Sequence, residues 1–138
     1  MRKENIVVGN LPEAFIDFLN KNPDNKNTLF DVELTLDEQA TLWEGDNSLI
    51  IASHAIEPTH MRHLQKALGY HNIEVLVPKH ISGRLSTDIV EDRDLFSEIT
   101  NRTRVNSQTT HLTPYCVTPE FVSLVDQLIR YGSKITIK

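Results

Sequence analysis

Short apolar runs alternate with helical patterns along this chain, and this alternation constrains the fold more than any other feature. The runs are NIVVGN (5–10), SLIIAS (48–53), IEVLVP (73–78), the more polar TTHLTPY (109–115) and KITIK (134–138). Strands that alternate with helices form βαβ units with right-handed crossovers. The sequence therefore predicts an α/β fold: a doubly wound, mostly parallel sheet of about five strands with helices on both faces.

The helical patterns differ in clarity. We predict a helix over 12–20, with Phe15, Phe18 and Leu19 on one face. Further helices are predicted over 34–46, 58–69 and 92–102, with a loop over 79–88. The last helix has the clearest signals, because Thr118 fits its N-cap and Pro119 its first turn. An apolar stripe at helical spacing follows, formed by Phe121, Leu124, Val125 and Leu128.

Composition limits the class of protein. The 138 residues are 39% apolar and 24% charged, which fits one globular domain over 1–138. A net charge of −5 argues against nucleic acid or an anionic membrane as partner. Cys116 is the single cysteine, and no apolar run approaches the ~20 residues of a membrane span. We therefore expect a cytoplasmic protein.

Three histidines lie within ten residues of each other, at 54, 60 and 63. A helical wheel places His60 at the border of the apolar face and His63 in solvent. Their spacing matches no zinc motif, so we predict no metal site. His54 has no orienting carboxylate or nucleophile close by in the sequence, so we also predict no catalytic residue.

A few residues directly follow the predicted strands, at their carboxyl ends. They are Gly9 and Asn10, then His54, then Pro78, Lys79 and His80, then Tyr115. Open α/β sheets bind ligands in the crevice outside the carboxyl ends of the strands, where the strand order reverses. These residues either line a substrate-binding rim or only shape the loops.

Phosphate-binding motifs are absent from the sequence. Neither the Gly-x-Gly-x-x-Gly fingerprint nor the Gly-x-x-x-x-Gly-Lys-Ser/Thr loop occurs. Lys79 and Arg84 flank Gly83 after the third strand, a pattern that suits either an anion site or a solvated loop.

Five motifs, taken in order, resemble one family. They are VVGN (7–10), LWEGD (42–46), LIIASHAI (49–56), NIEVLVP (72–78) and LTPYCVTPEF (112–121). The chain resembles the pre-ATP-grasp domain, a Rossmann-like domain that precedes the ATP-grasp module in microbial peptide ligases such as the pheganomycin-type ligases. The similarity runs from Ile6 to about Ile137, and 20–30 departs from the family pattern.

The resemblance implies an accessory role. In ATP-grasp ligases this domain packs against the catalytic domains and helps to wall the substrate site, while ATP and Mg²⁺ are bound by the ATP-grasp module. Because the chain stops at Lys138, we expect that module to be absent from it, so that this chain binds no cofactor itself. The expected partners are an ATP-grasp catalytic domain and a small-molecule or peptide substrate. The resemblance implies that the site positions of the family correspond in this chain to the residues that match its motifs: Gly9, Asn10, His54, Tyr115 and Thr118.

Two other functions are compatible with the same residues. One is a stand-alone binding module that holds a small anion or nucleotide at the strand ends. The other is a hydrolase that uses His54, which needs a serine or cysteine nucleophile beside it. Ser53 should point away, because neighbouring strand side chains face opposite sides.

Overall fold

The computed structural model describes residues 5–22, 24, 36–104 and 108–138, and its centre is a five-stranded sheet. All neighbouring strands pair in parallel, in the order β3-β2-β1-β4-β5. This confirms the predicted α/β class and gives a Rossmann-like doubly wound fold. The strands are β1 (Asn5–Val8), β2 (Ser48–Ile51), β3 (Glu74–Leu76), β4 (Thr110–Pro114) and β5 (Ile135–Ile137).

Helices connect the strands. A 3-10 turn over Leu11–Ala14 follows β1, and residues 36–40 are also helical. Five further α-helices are α1 (Ile16–Lys21), α2 (Pro58–Leu68), α3 (Leu85–Glu91), α4 (Arg93–Arg104) and α5 (Pro119–Arg130), as far as the described residues show. Most of the first crossover, including the atypical part of 20–30, lies outside the described residues.

The sheet separates two apolar clusters. On one face, Ile6, Val8 and Leu112 pack with α3, α4 and α5. On the other face, Val7 and Ile50 pack with Ala40 from the helical residues 36–40. Because β1 and β2 are buried on both faces, their sequences are continuous apolar runs rather than alternating ones.

The last helix is the best predicted element. The Thr118 hydroxyl accepts a hydrogen bond from the backbone N–H of Phe121 at 3.0 Å, as an N-cap does. Phe121, Leu124 and Leu128 are buried in the core. Both the cap and the stripe are confirmed.

Two local predictions were wrong. The loop expected over 79–88 ends early, because Leu85 and Ile89 are buried against the core and begin α3 at Leu85. Phe15 and Phe18 do not face the core but are about half exposed. Phe15 ends the 3-10 turn and Phe18 lies on α1, and both rings point outward. The side chain of Leu19 lies outside the described residues.

None of the helices in the described ranges combines the length and the apolar composition that a membrane span requires.

Candidate functional site

The strand order reverses at β1, which lies between β2 and β4. Gly9 and Asn10 follow β1 here, and Tyr115 follows β4. In doubly wound sheets this switch point opens a crevice at the carboxyl ends of the strands. The predicted rim is therefore located where a ligand site is expected.

Asn10 joins the two sides of the switch point. Its Oδ1 accepts from the backbone N–H groups of Tyr115 at 3.0 Å and Cys116 at 3.1 Å. Its Nδ2 donates to the Cys116 carbonyl at 2.8 Å and to Glu13 at 3.0 Å. Asn10 is fully buried, so its role in this structure is to fix the backbone of the rim.

Glu13 is a buried carboxylate next to Asn10. Besides the Asn10 amide, it accepts from the backbone N–H and the hydroxyl of Ser86, each at 2.8 Å, and from the Thr118 hydroxyl. Four donors compensate the desolvation of one carboxylate. Glu13 thereby ties the turn after β1 to the starts of α3 and α5.

Gly9 permits the chain to pass very close to its neighbours. A Cβ atom at this position would lie 2.8 Å from Asp37 Oδ1 and 3.5 Å from Tyr115 Cε2. No larger residue fits without moving the Asp37 side chain. Gly9, Asp37 and Tyr115 therefore meet at one point on the rim.

His54 lies beside Asp37. The distance between His54 Nδ1 and Asp37 Oδ2 is 3.5 Å, and the two side chains are 19% and 1% exposed. Burial lowers the pKa of His54 below its ordinary value, which favours the neutral imidazole. The expectation that His54 has no orienting carboxylate was wrong, because the fold supplies Asp37 from 17 positions earlier in the chain.

Tyr115 supports an aromatic wall. Its ring packs edge-on against Trp43, with ring centroids 4.3 Å apart, and its hydroxyl donates to the Leu36 carbonyl. Trp43 stays about half exposed. The rim therefore carries a partly exposed indole beside Tyr115, whose own ring lies close to Gly9.

Lys79 lies apart from this group, on the connection that leaves the edge strand β3. Its ammonium group pairs with Asp94, which raises its pKa, and its backbone N–H donates to Asp92 at 2.9 Å. Arg84 pairs with Glu120 at 2.8 Å and with Asp17 at 3.1 Å. Both cations are thus engaged by carboxylates.

Of the other two histidines in the 54–63 stretch, His60 joins two segments of the chain and His63 faces solvent. His60 Nε2 lies 3.0 Å from Thr41 Oγ1 and 3.1 Å from the Glu38 carbonyl, so it joins α2 to the segment after residue 36. His63 is exposed. Across the described ranges, no group of three or more His, Cys, Asp or Glu side chains is arranged to hold a metal ion.

The structure brings together five of the six predicted rim residues and leaves Lys79 apart. His54 lies beside Asp37, and Gly9 lies close to both Asp37 and Tyr115. Asn10 bonds the backbone of Tyr115 and meets Thr118 through Glu13. Their assignment as substrate-binding residues stays a prediction. The sequence reasoning missed Asp37 and Glu13, since both act through contacts that only the tertiary fold creates.

No protein-family model, no curated protein and no solved structure matches this chain.

Proposed function

We propose that this chain is the accessory, substrate-site domain of an ATP-grasp amide or peptide ligase, working in the cytoplasm. A separate ATP-grasp module binds ATP and Mg²⁺ and converts a substrate carboxylate into an acyl phosphate. This chain provides one wall of the site in which an amine then displaces the phosphate. The motif resemblance is the source of the proposal.

One observation carries the proposal furthest: His54, Tyr115 and Gly9 converge at the carboxyl edge of the sheet, beside the switch point. A pre-ATP-grasp domain has to present its side of the substrate site at this edge. The half-exposed Trp43 beside Tyr115 adds an apolar surface suited to a substrate side chain.

Exposed apolar side chains at the same edge support docking of a catalytic module. Phe15 and Phe18 follow β1, Ile81 follows β3 and Val117 follows β4, and all four are exposed. We call these four residues the carboxyl-edge surface. Arg84 holds two of its segments in place, because it bridges Asp17 on α1 and Glu120 on α5. Apolar surface of this kind is typical of a protein interface.

The alternative function, a stand-alone module for a small anion or nucleotide, receives less support from these contacts. Such a site needs cations directed at the ligand. Lys79 and Arg84, the two cations considered for it, are already paired with Asp94, Glu120 and Asp17.

Docking can be measured directly by sedimentation of this chain with ATP-grasp modules from the same organism. We expect a one-to-one complex that Phe18→Asp disrupts. Ile129→Asp is the matched control, since Ile129 on α5 is 54% exposed and Phe18 is 55% exposed. The proposal fails if none of the modules associates with the chain, or if both substitutions weaken association equally.

A further inference from the structure

One nitrogen of the His54 ring, Nδ1, is buried, while the side chain as a whole is 19% exposed. Nδ1 faces Asp37 and is inaccessible to solvent, as are both Asp37 carboxylate oxygens. The exposed fifth of the His54 side chain therefore belongs to other atoms of the residue.

The neighbouring carboxylate selects one neutral tautomer of this ring. An ionised carboxylate only accepts hydrogen bonds, so it attracts an N–H group and repels a nitrogen lone pair. At 3.5 Å the contact is longer than a good hydrogen bond, and its effect is electrostatic orientation. A proton on Nδ1 leaves the lone pair on Nε2, so that Nε2 is the basic nitrogen of this tautomer.

We propose that Asp37 is a positioning residue that holds His54 in the Nδ1–H tautomer, so that Nε2 accepts a proton from the substrate amine. The identity of that proton donor rests on the proposed function; the tautomer does not. His54 is then a proton acceptor that this domain contributes to a site completed by the ATP-grasp module.

The step is balanced as follows. The amine nitrogen forms a bond to the acyl-phosphate carbon, and the carbon–oxygen bond to the phosphate breaks with its electron pair on the departing phosphate. The amine proton passes to His54 Nε2. The imidazolium that results lies 3.5 Å from the Asp37 carboxylate, which stabilises its charge.

Among the described residues, three elements surround the pair. The helical residues 36–40 supply Asp37 and the neighbouring Glu38, and α2 supplies His60, which contacts the Glu38 carbonyl. The end of β4 supplies Tyr115, whose hydroxyl donates to the Leu36 carbonyl. In the part of the chain that the structure describes, Asp37 is a carboxylate within ion-pair distance of the His54 ring.

Long-range ¹H–¹⁵N correlation spectra of the whole chain at neutral pH measure the tautomer directly. In the wild type we expect protonated Nδ1 and unprotonated Nε2 at His54. Asp37→Asn should raise the population of the Nε2–H tautomer severalfold, because the amide can donate to Nδ1. Glu38→Gln removes the same charge one residue away and should leave the His54 spectrum unchanged.

An Nε2–H tautomer in the wild type would overturn the inference, and so would an unchanged His54 spectrum in folded Asp37→Asn. If Asp37→Asn does not fold, the wild-type spectrum still decides. These spectra need no ligase, so their outcome is independent of the docking measurement that tests the proposed function. If the spectra show the Nδ1–H tautomer but no ATP-grasp module binds, the inference about Asp37 and His54 stands and the proposed function fails.

Discussion

The Asn10 side chain bonds both the backbone N–H and the carbonyl of Cys116, at 3.1 and 2.8 Å, across the gap between the ends of β1 and β4. This reciprocal pair keeps the two strand ends together after their ladder stops at Val8 and Pro114. Tyr115, next to Cys116, is consequently fixed against Gly9. The buried side-chain amide of Asn10 therefore fixes the backbone of the rim.

Asn10→Asp should destabilise the fold by about 2–4 kcal/mol, because a buried carboxylate would replace an amide donor that faces Glu13 and the Cys116 carbonyl. Urea unfolding measures this loss. Asn101→Asp makes the same change on the exposed side of α4 and should have little effect. Equal losses in the two variants would contradict the role assigned to Asn10.

Gly9→Ala should cost about 1–3 kcal/mol, since the added Cβ would lie 2.8 Å from Asp37 Oδ1. The penalty comes from one side chain, so a double-mutant cycle can isolate it. In an Asp37→Ala background, Gly9→Ala should cost much less. A penalty that is the same in both backgrounds would show that the close approach to Asp37 is not its cause.

Acidification should weaken the fold through His54. Its pKa is lower in the folded chain than in the unfolded chain, so the unfolded state binds the proton first as the pH falls. Stability is therefore lost from about pH 6.5 downward until the folded histidine is itself protonated. His54→Gln should flatten the stability curve over this range, and His63→Gln on the exposed side of α2 should not. A curve of unchanged slope in His54→Gln would contradict the assignment.

Arg102 should contribute through a two-point contact. Its guanidinium donates from Nη1 and Nη2 to the two oxygens of Glu74 at 2.6 and 2.7 Å, which attaches α4 to the edge strand β3. This pairing with Glu74 raises the pKa of Arg102. Arg102→Lys keeps the positive charge but cannot make both hydrogen bonds to Glu74. We expect it to lower the free energy of unfolding by about 0.5–1.5 kcal/mol.

A thermal melt compares Arg102→Lys with Arg104→Lys, whose side chain is exposed on the same helix. Equal melting temperatures of the two variants would contradict a stabilising role for the contact between Arg102 and Glu74.

The fold was largely predictable from sequence because its signals are local. The helix α5 carries its own cap, first-turn proline and apolar stripe, and the buried strands β1 and β2 are continuous apolar runs. The helix α3 was missed because it is short and follows a polar, glycine-containing segment. Its buried face consists of only two fully buried apolar residues, Leu85 and Ile89, together with the polar residues Ser86 and Asp88.

The candidate site was predictable only in part. Strand ends located Gly9, Asn10, His54 and Tyr115, since parallel strands place their carboxyl ends along one edge. Asp37 was not predictable, because no spacing rule connects it with His54 and only the packing of 36–40 beside β1 brings the two together. Lys79 also follows a strand, but β3 lies at the edge of the sheet, away from the switch point.

The most direct test of the proposed role measures amide formation by an ATP-grasp module that binds this chain, with ATP, Mg²⁺, a carboxylate substrate and an amine. We predict that amide forms at a substantial rate only when this chain is added, and that His54→Gln lowers the rate of amide formation. A module that forms amide equally fast without the chain would contradict the account, and so would amide formation by the purified chain alone.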